Sequence, residues 1–432
     1  MVILNGKNRR IDDVGSEKQR LVIVDDAFPS MKSGFRYMEF TKYLELFNHS
    51  LVVSSGESIK TIDTKKELEV FFDYIKKYPC FENRIFFAKK ILGFNRFEFA
   101  YFIFLNNAFK YISMIEKSGT PFAFTLYPGG GLSLHDPVSD NKLKRILSSP
   151  CFKKVIVTQK VVFDYLIDNK LCQEDKVEMI FGVVMPLFNT KNLSDLSKKR
   201  WGEGKKTLDI CFMAHRYTKF GEDKGYDVFV AVAKKLLGHF NNINFHVVGP
   251  YDETVINVDE IENSIKFYGV LNPDKFDTFF QDIDIILSPN ISGKITLGSF
   301  DGFPTASCVE AALRGVAIFA VDEFNSSEGY FSDGQNIVIL EYNIDAIVDK
   351  IFEYYKNPVK LKMVGEKGCM QIQKIYGFNS QIQPRVNLLN NLIKSQKMEK
   401  KDYKYKVKIL KSRVYYYYRS MLIYINKRFG KL

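Results

Sequence analysis

Short apolar runs alternate with stretches of helical spacing along most of the chain. Leu21-Val22-Ile23-Val24 ends at Asp25-Asp26 and predicts a buried strand. Phe40 to Phe47 has helical spacing, and Leu51-Val52-Val53 predicts the next strand. Glu98 to Phe104, Pro121 to Leu126 and Lys154 to Thr158 predict three more. Ala108 to Glu116 and Val161 to Asn169 predict helices among them. Such βαβ alternation predicts a parallel sheet covered on both faces.

A polar, Lys-rich stretch from Asn189 to Lys206 interrupts the pattern, and a second series follows. Leu208 to Ala214 predicts a strand, Asp227 to Leu237 an amphipathic helix, and Asn244 to Val248 a strand ending at Gly249. Ile265 to Tyr268, Asp284 to Leu287, Val316 to Ala320 and Ile337 to Leu340 predict the rest of a second sheet. The expected fold class is α/β, with two Rossmann-like domains facing each other across a cleft. The expected bounds are 1–190 for the first domain, 191–206 for the linker and 207–385 for the second domain. Residues 386–432 are expected to form a C-terminal helix and tail.

At 432 residues the chain is long enough for two such domains. Six Cys lie far apart with no CxxC spacing, so neither a disulfide framework nor a zinc site is expected. Residues Met1 to Arg20 are polar and do not resemble a signal peptide. Phe97 to Leu105 is apolar but too short to span a bilayer. A cytoplasmic protein is expected, free or on the cytoplasmic membrane face.

Charge sharpens the view of the tail. The net charge is +12, yet Lys394 to Leu432 alone holds 13 Lys/Arg against 2 Asp/Glu. The body is near neutral, which argues against a nucleic-acid-binding core. In the tail, Tyr403, Val407, Leu410, Val414, Tyr417, Met421 and Tyr424 alternate in steps of four and three. They predict an aromatic–apolar helical stripe with cations around it. Peripheral binding to an anionic membrane is expected, with packing on the body or self-association as alternatives.

The segment from Ser288 to Ala320 carries the clearest chemistry. A strand ends at Ser288-Pro289, a loop follows with Asp301-Gly302-Phe303-Pro304, and a helix starts near Thr305. Gly302 allows close backbone approach to a ligand. Pro304 is expected to pre-set the helix start, with the amides of Thr305 and Ala306 free to meet an anion. Glu310, one to two turns into that helix, is placed to accept hydrogen bonds from ribose hydroxyls. These features suit a nucleotide sugar.

Asp301-Gly302-Phe303-Pro304 with Glu310-Ala311-Ala312 resembles the signature of the retaining glycosyltransferases of family 4, which have the GT-B fold. The interval between the two acids is one residue longer than the family's, and the first acid here is Asp. The resemblance extends back through the strand from Leu208 to Arg216 and Lys224-Gly225. It implies that Arg216 and Lys224 hold the donor diphosphate, that Asp301 meets the transferred sugar, and that Tyr268-Gly269 borders the nucleobase. Two cations at the diphosphate are chemically apt, because charge builds on the leaving oxygens. The resemblance also implies that no metal or other cofactor is needed. Asp282-Ile283-Asp284, which looks like a metal-binding DxD motif, is therefore read as a strand edge.

In the first domain, Ser33-Gly34-Phe35-Arg36 follows the first strand and reads as a loop. Gly34, Arg36 and the run Gly129-Gly130-Gly131 are the acceptor-side candidates, and three glycines suggest a loop free to approach a ligand or to move. The resemblance points to His135 as a group near the transferring sugar, with His215 a weaker cleft candidate. No Gly-x-Ser-x-Gly and no Walker loop is present. The expectation is a retaining transferase taking a nucleotide-sugar donor and a glycan acceptor, lipid-linked in surface polysaccharide synthesis. A sugar-nucleotide epimerase and a catalytically silent sugar-nucleotide-binding protein are the alternatives.

Overall fold

The structure is a computed structural model that describes residues 19–63, 65–87, 94, 97–185 and 198–395. The first sheet holds β1 (Gln19–Asp25), β2 (Ser50–Ser54), β3 (Ile85–Phe87), β4 (Phe97–Ile103), β5 (Phe122–Leu126), β6 (Phe152–Val157) and β7 (Val177–Met179). Their spatial order is β3-β2-β1-β4-β5-β6-β7, and every neighbouring pair is parallel. Both faces of such a sheet are covered, so a central strand is apolar at successive positions. Leu21 to Val24 follow this rule, at 0–1% exposure.

The second sheet holds β8 (Leu208–Met213), β9 (Ile243–Val248), β10 (Ile265–Phe267), β11 (Ile285–Ser288), β12 (Ala317–Val321) and β13 (Val338–Leu340). Its order, β10-β9-β8-β11-β12-β13, is that of a Rossmann sheet, again parallel throughout. Helix Tyr226–Leu237 covers one face with Phe229, Val232, Ala233 and Leu236. Residues 198–206 pack on this domain: Trp201 stacks on Tyr355 at 5.0 Å and donates its indole N–H to the Tyr355 carbonyl at 2.9 Å.

The chain then returns to the first domain. Helix Pro358–Tyr376 packs on β12, and helix Phe378–Ser395 crosses back against the helix Gly34–Leu46. Ile382, Val386, Leu389 and Ile393 line one helical face and join Leu21, Ile23, Phe40 and Leu44 in a common core. Their anchor is polar. Arg385 and Glu39 are fully buried, with Arg385 Nε 4.0 Å from Glu39. Glu39 accepts hydrogen bonds from Tyr43, Tyr101 and Tyr127 at 2.8–3.0 Å.

Ser33 to Arg36 is a departure from expectation. Gly34, Phe35 and Arg36 form the first turn of the helix Gly34–Leu46, not a loop. None of the described helices is long and apolar enough to cross a membrane. The expected basic tail beyond residue 395 and the linker portion 186–197 lie outside the described residues.

Candidate active site

In an open parallel sheet, ligands bind beyond the carboxyl ends of the strands, where strand order reverses. β8 and β11 flank that point in the second sheet. The loop after β8 carries Arg216 and Lys224, and the loop after β11 carries Asp301. The two loops meet there. Lys224 Nζ lies 2.6 and 2.8 Å from the two carboxylate oxygens of Asp301, and Asn290 Nδ2 lies 3.3 Å from Asp301 Oδ2. The Lys224 side chain is 13% exposed and Asp301 is 32% exposed, so the pair opens to solvent on the acid's side. Asp223 closes the loop before Lys224 by accepting from the Thr218 amide and hydroxyl at 3.1 and 2.7 Å. Arg216 ties this loop to the one after β9: Nε donates to the Pro250 carbonyl at 3.0 Å and Nη1 to that of Lys219 at 2.8 Å.

The helix after the Asp301 loop runs from Ala306 to Ala312. Pro304 therefore stands outside the helix, and Thr305 is the residue flanking its start, without a side-chain cap. The first-turn amides are those of Ala306, Ser307 and Cys308, one position later than expected. The Thr305 hydroxyl pairs with the Ser307 hydroxyl at 3.1 Å and donates to the Cys308 sulfur at 3.3 Å. Glu310 is held by Arg314, one helical turn on, through a 2.8 Å contact to Oε2. Burial pushes the Glu310 carboxyl above its ordinary range, and the Arg314 guanidinium pulls it back. Arg314 is itself steadied by Asp277 at 2.8 Å.

Gly302 and the Phe303 carbonyl face the first domain, while the Phe303 ring packs on its own domain, edge-on to Phe331 at 6.5 Å. A Cβ on Gly302 would meet Gln159 Nε2 at 3.6 Å and Pro128 Cγ at 3.8 Å. The close approach at Gly302 is thus to protein across the domain seam. Gln159 Nε2 donates to the Phe303 carbonyl at 3.2 Å. His135 lies at the same seam, beside Leu134, whose amide donates to the Gly298 carbonyl at 2.8 Å. Its backbone is left-handed, its amide donates to the Tyr165 hydroxyl at 2.9 Å, and its exposed ring sits edge-on to Tyr165. No described contact joins the His135 imidazole to Asp301 or Lys224. Tyr268 is drawn inward: its hydroxyl lies 2.9 Å from His246 Nδ1, and His246 Nε2 lies 2.7 Å from Asp209. Gly269 lies two residues past the end of β10, and its carbonyl accepts from the Gly249 amide at 2.9 Å. His215 is exposed and packs on Tyr217.

In the first domain, Arg36 points back at β1. Its Nη1 pairs with Asp26 and lies 3.3 Å from Asp25, while the guanidinium covers the Phe104 ring at 4.8 Å. Arg36 is therefore largely engaged inside the protein. Asp26 also accepts from Ser58 at 2.7 Å and from Asn107 at 3.4 Å. The triple glycine is packed more than it is free. A Cβ on Gly130 would strike the Phe104 ring at 2.2 Å, and one on Gly131 would strike Asn106 at the same distance. Only Gly129 of the three has open space beside it.

Asp284 is buried and accepts from the amides of Trp201 and Asp209 at 2.9 and 3.0 Å and from Lys205 at 2.6 Å. Its carboxylate is occupied by structure. Among the described residues no group of three or more His, Cys, Asp or Glu is arranged to hold a metal. Asn290, Arg314 and Gln159 are the site groups that sequence reasoning missed. Arg314 had a legible signal, its spacing of four from Glu310.

Residues 195–369 match the family described as glycosyl transferases group 1. A glycosyltransferase from Rickettsia africae is 16% identical, covers 87% of this chain and 100% of its own, and superposes with a TM-score of 0.59. HepE from Anabaena, solved with UDP and glucose, is 13% identical, covers 86% and 100%, and has a TM-score of 0.61. Sucrose-phosphate synthase from Thermosynechococcus elongatus is 10% identical, covers 88% and 100%, and has a TM-score of 0.58. These structures share the two-domain GT-B fold. No curated protein matches the chain.

Proposed function

We propose that this chain, a glycosyltransferase by its group 1 domain, moves a sugar from a nucleoside-diphosphate donor to a lipid-linked glycan, with retention of configuration. The observation that carries the reading is the meeting of Lys224, Asp301 and Asn290 at the switch point of the matched domain. HepE has been solved with UDP and with UDP-glucose, which makes uridine the first base to try.

The roles follow from charge. When the donor's glycosidic bond breaks, negative charge gathers on the leaving diphosphate, and Lys224 and Arg216 stabilise it where it forms. A diphosphate beside Lys224 gives that cation a second anion and leaves an Asp301 oxygen for the sugar hydroxyls. Glu310 has one oxygen fixed by Arg314 and accepts from the ribose with the other. The first-turn amides of Ala306 to Cys308 add donors near the phosphates. The acceptor enters from the first domain, past Gly129 and His135. Retention rests on the family resemblance alone. Lipid linkage rests on the basic aromatic tail, which would hold the enzyme at the membrane where such acceptors lie.

A thermal-shift screen of nucleoside diphosphates and their sugars selects the donor. Release of the nucleotide, measured with and without acceptor glycolipid, then tests transfer. Arg216→Ala and Glu310→Ala should each lower it strongly while keeping a cooperative melt, and EDTA should leave the wild type active. Full activity in both variants would sink the site assignment.

A further inference from the structure

The loop that carries Asp301 is anchored on both domains. Ser292 donates its amide and hydroxyl to Glu323 of its own domain at 2.7 and 2.9 Å, and the opposite domain grips the stretch around Asp301. Phe300, the residue before Asp301, is 8% exposed and lies in the first domain's core with Leu132, Leu134 and Leu143. Phe324, from the loop after β12, sits edge-on to Phe300 at 5.6 Å and packs on the same cluster. Just upstream, the Gly298 carbonyl accepts from the Leu134 amide at 2.8 Å, and the Thr296 and Ser133 hydroxyls approach to 3.4 Å. Gly298 has φ +68, and a Cβ there would lie 1.7 Å from the Leu134 carbonyl oxygen. Only glycine permits that approach. Downstream of Asp301, Gln159 holds the Phe303 carbonyl at 3.2 Å. Asp301 is thus bracketed in sequence by anchors on the first domain. Among the described residues, its own domain supplies Lys224 and Asn290 to its carboxylate.

We propose that Phe300 and Gln159 form a two-point latch, so that domain closure and the placing of Asp301 against the transferred sugar are a single event. The proposal rests on the reading of Asp301 as the carboxylate that meets that sugar. Phe300 supplies the apolar grip and Gln159 the direction. The latch is also built to release. Gln159 is 3% exposed, and its Oε1 is buried without a hydrogen-bond partner among the described residues. An unmet buried acceptor penalises the latched form and favours reopening. Neither residue touches Lys224, Arg216 or Glu310 in the described contacts. The latch should therefore govern turnover and leave the grip on the nucleotide alone.

The test uses the full chain carrying Phe300→Ala, Phe300→Leu, Gln159→Leu and Asp301→Asn, with the double variant F300A/D301N. UDP binding is read by calorimetry. Turnover is read on UDP-glucose, or on the nucleotide sugar that the thermal-shift screen selects. Misplacing a reacting group by an ångström costs on the order of 100-fold in rate. Phe300→Ala should lose roughly that much kcat and keep UDP affinity within about twofold. Phe300→Leu should recover most of the loss. Gln159→Leu keeps the side chain's volume, guards against a folding defect at Phe300, and should also lower kcat. If Phe300 acts through Asp301, the double variant is no slower than Asp301→Asn alone. Wild-type turnover in Phe300→Ala and Gln159→Leu, with Asp301→Asn impaired, would overturn the latch and leave the site standing. Wild-type turnover in Asp301→Asn would overturn the sugar-contact reading instead. Loss of UDP affinity in step with kcat would mark both residues as structural and also overturn the latch.

Discussion

Replacing Arg314 by Leu isolates the group that orients Glu310. Arg314 Nη1 lies 2.8 Å from Glu310 Oε2, and the two side chains are 16% and 15% exposed, so solvent screens the pair little. The guanidinium also lies over Phe276 and Phe280 at 5.7 and 5.8 Å, and a leucine keeps much of that apolar contact. A hydrogen bond to a charged group contributes about 1.5–3 kcal/mol. Ribose hydroxyls recover part of this when they bind the freed carboxylate, which leaves about 1.4 kcal/mol, a tenfold rise in donor KM. The ribose is unchanged between ground and transition state, so kcat should hold.

The pH dependence has a definite sign. Burial raises the Glu310 carboxyl, and Arg314 opposes the rise while Asp277 adds to it. If Glu310 accepts from the ribose, donor binding needs the ionised form, which is lost as pH falls through the raised value. Wild-type KM should climb on acidification, and the climb should begin at higher pH in Arg314→Leu. Glu310→Gln should show a raised KM that is flat with pH in this range. Stability moves the other way. The folded carboxyl holds its proton more tightly than the unfolded one, so its contribution is present below the unfolded pKa and fades as pH rises through the folded value. Steady-state kinetics over acid to neutral pH check the prediction. An Arg314→Leu enzyme with unchanged donor KM at every pH, or with reduced kcat and unchanged KM, would refute the ribose role of Glu310.

Two further outcomes follow. Lys224→Met should lower kcat by about 10²–10³, the usual cost of removing a group that meets developing charge. Adding Asp301→Asn should not restore it, whereas recovery in the double variant would mean that Lys224 serves only to neutralise Asp301. Deleting residues 396–432 should move the protein from the membrane pellet to the supernatant and leave UDP binding unchanged. A deletion variant that still sediments with membranes would remove the membrane role of the tail.

The central strands were legible because a parallel sheet buries both faces, so Leu21 to Val24 or Ile285 to Leu287 need no alternation to be recognised. The edge strands Ile85–Phe87 and Val177–Met179 were not read, although the equally short Ile265–Phe267 and Val338–Leu340 were; three residues carry no period, so such a strand is found only where a flanking signal, such as Gly269, marks it. Ser33 to Arg36 misled because Ser and Gly usually mark loops; the helix start there is backed by Arg36 reaching Asp25 and Asp26, groups of the preceding strand end. Lys224 and Asp301 were read from a resemblance, and their pairing follows from the sheet order that sets β8 beside β11. Gln159 had no signal. Its partner is the Phe303 carbonyl, 144 residues away, and no local pattern encodes that distance.

Among the described residues, two junctions between the domains differ in kind. The crossing helix Phe378–Ser395 is fixed by a buried charge: Glu39 is ringed by three tyrosines, with Arg385 at its edge. Removing one partner of such a pair costs about 3–5 kcal/mol, so this junction stays closed under ordinary fluctuation. The seam at Phe300 and Gln159 is held by neutral contacts: Gln159 on the Phe303 carbonyl, the Leu134 amide on the Gly298 carbonyl, the Ser133 and Thr296 hydroxyls and the buried Phe300 ring, while the Gln159 amide oxygen has no partner among the described residues. It is the weaker junction, and movement between the domains should concentrate there. Tyr127 connects the two. Its hydroxyl lies 3.0 Å from Glu39 and 3.4 Å from Arg385, and the next residue, Pro128, faces Gly302 across the seam. The fixed junction therefore sets the surface on which the Asp301 loop docks. That gives the apolar residue at position 300 and the amide at 159 a stationary target each time the cleft closes.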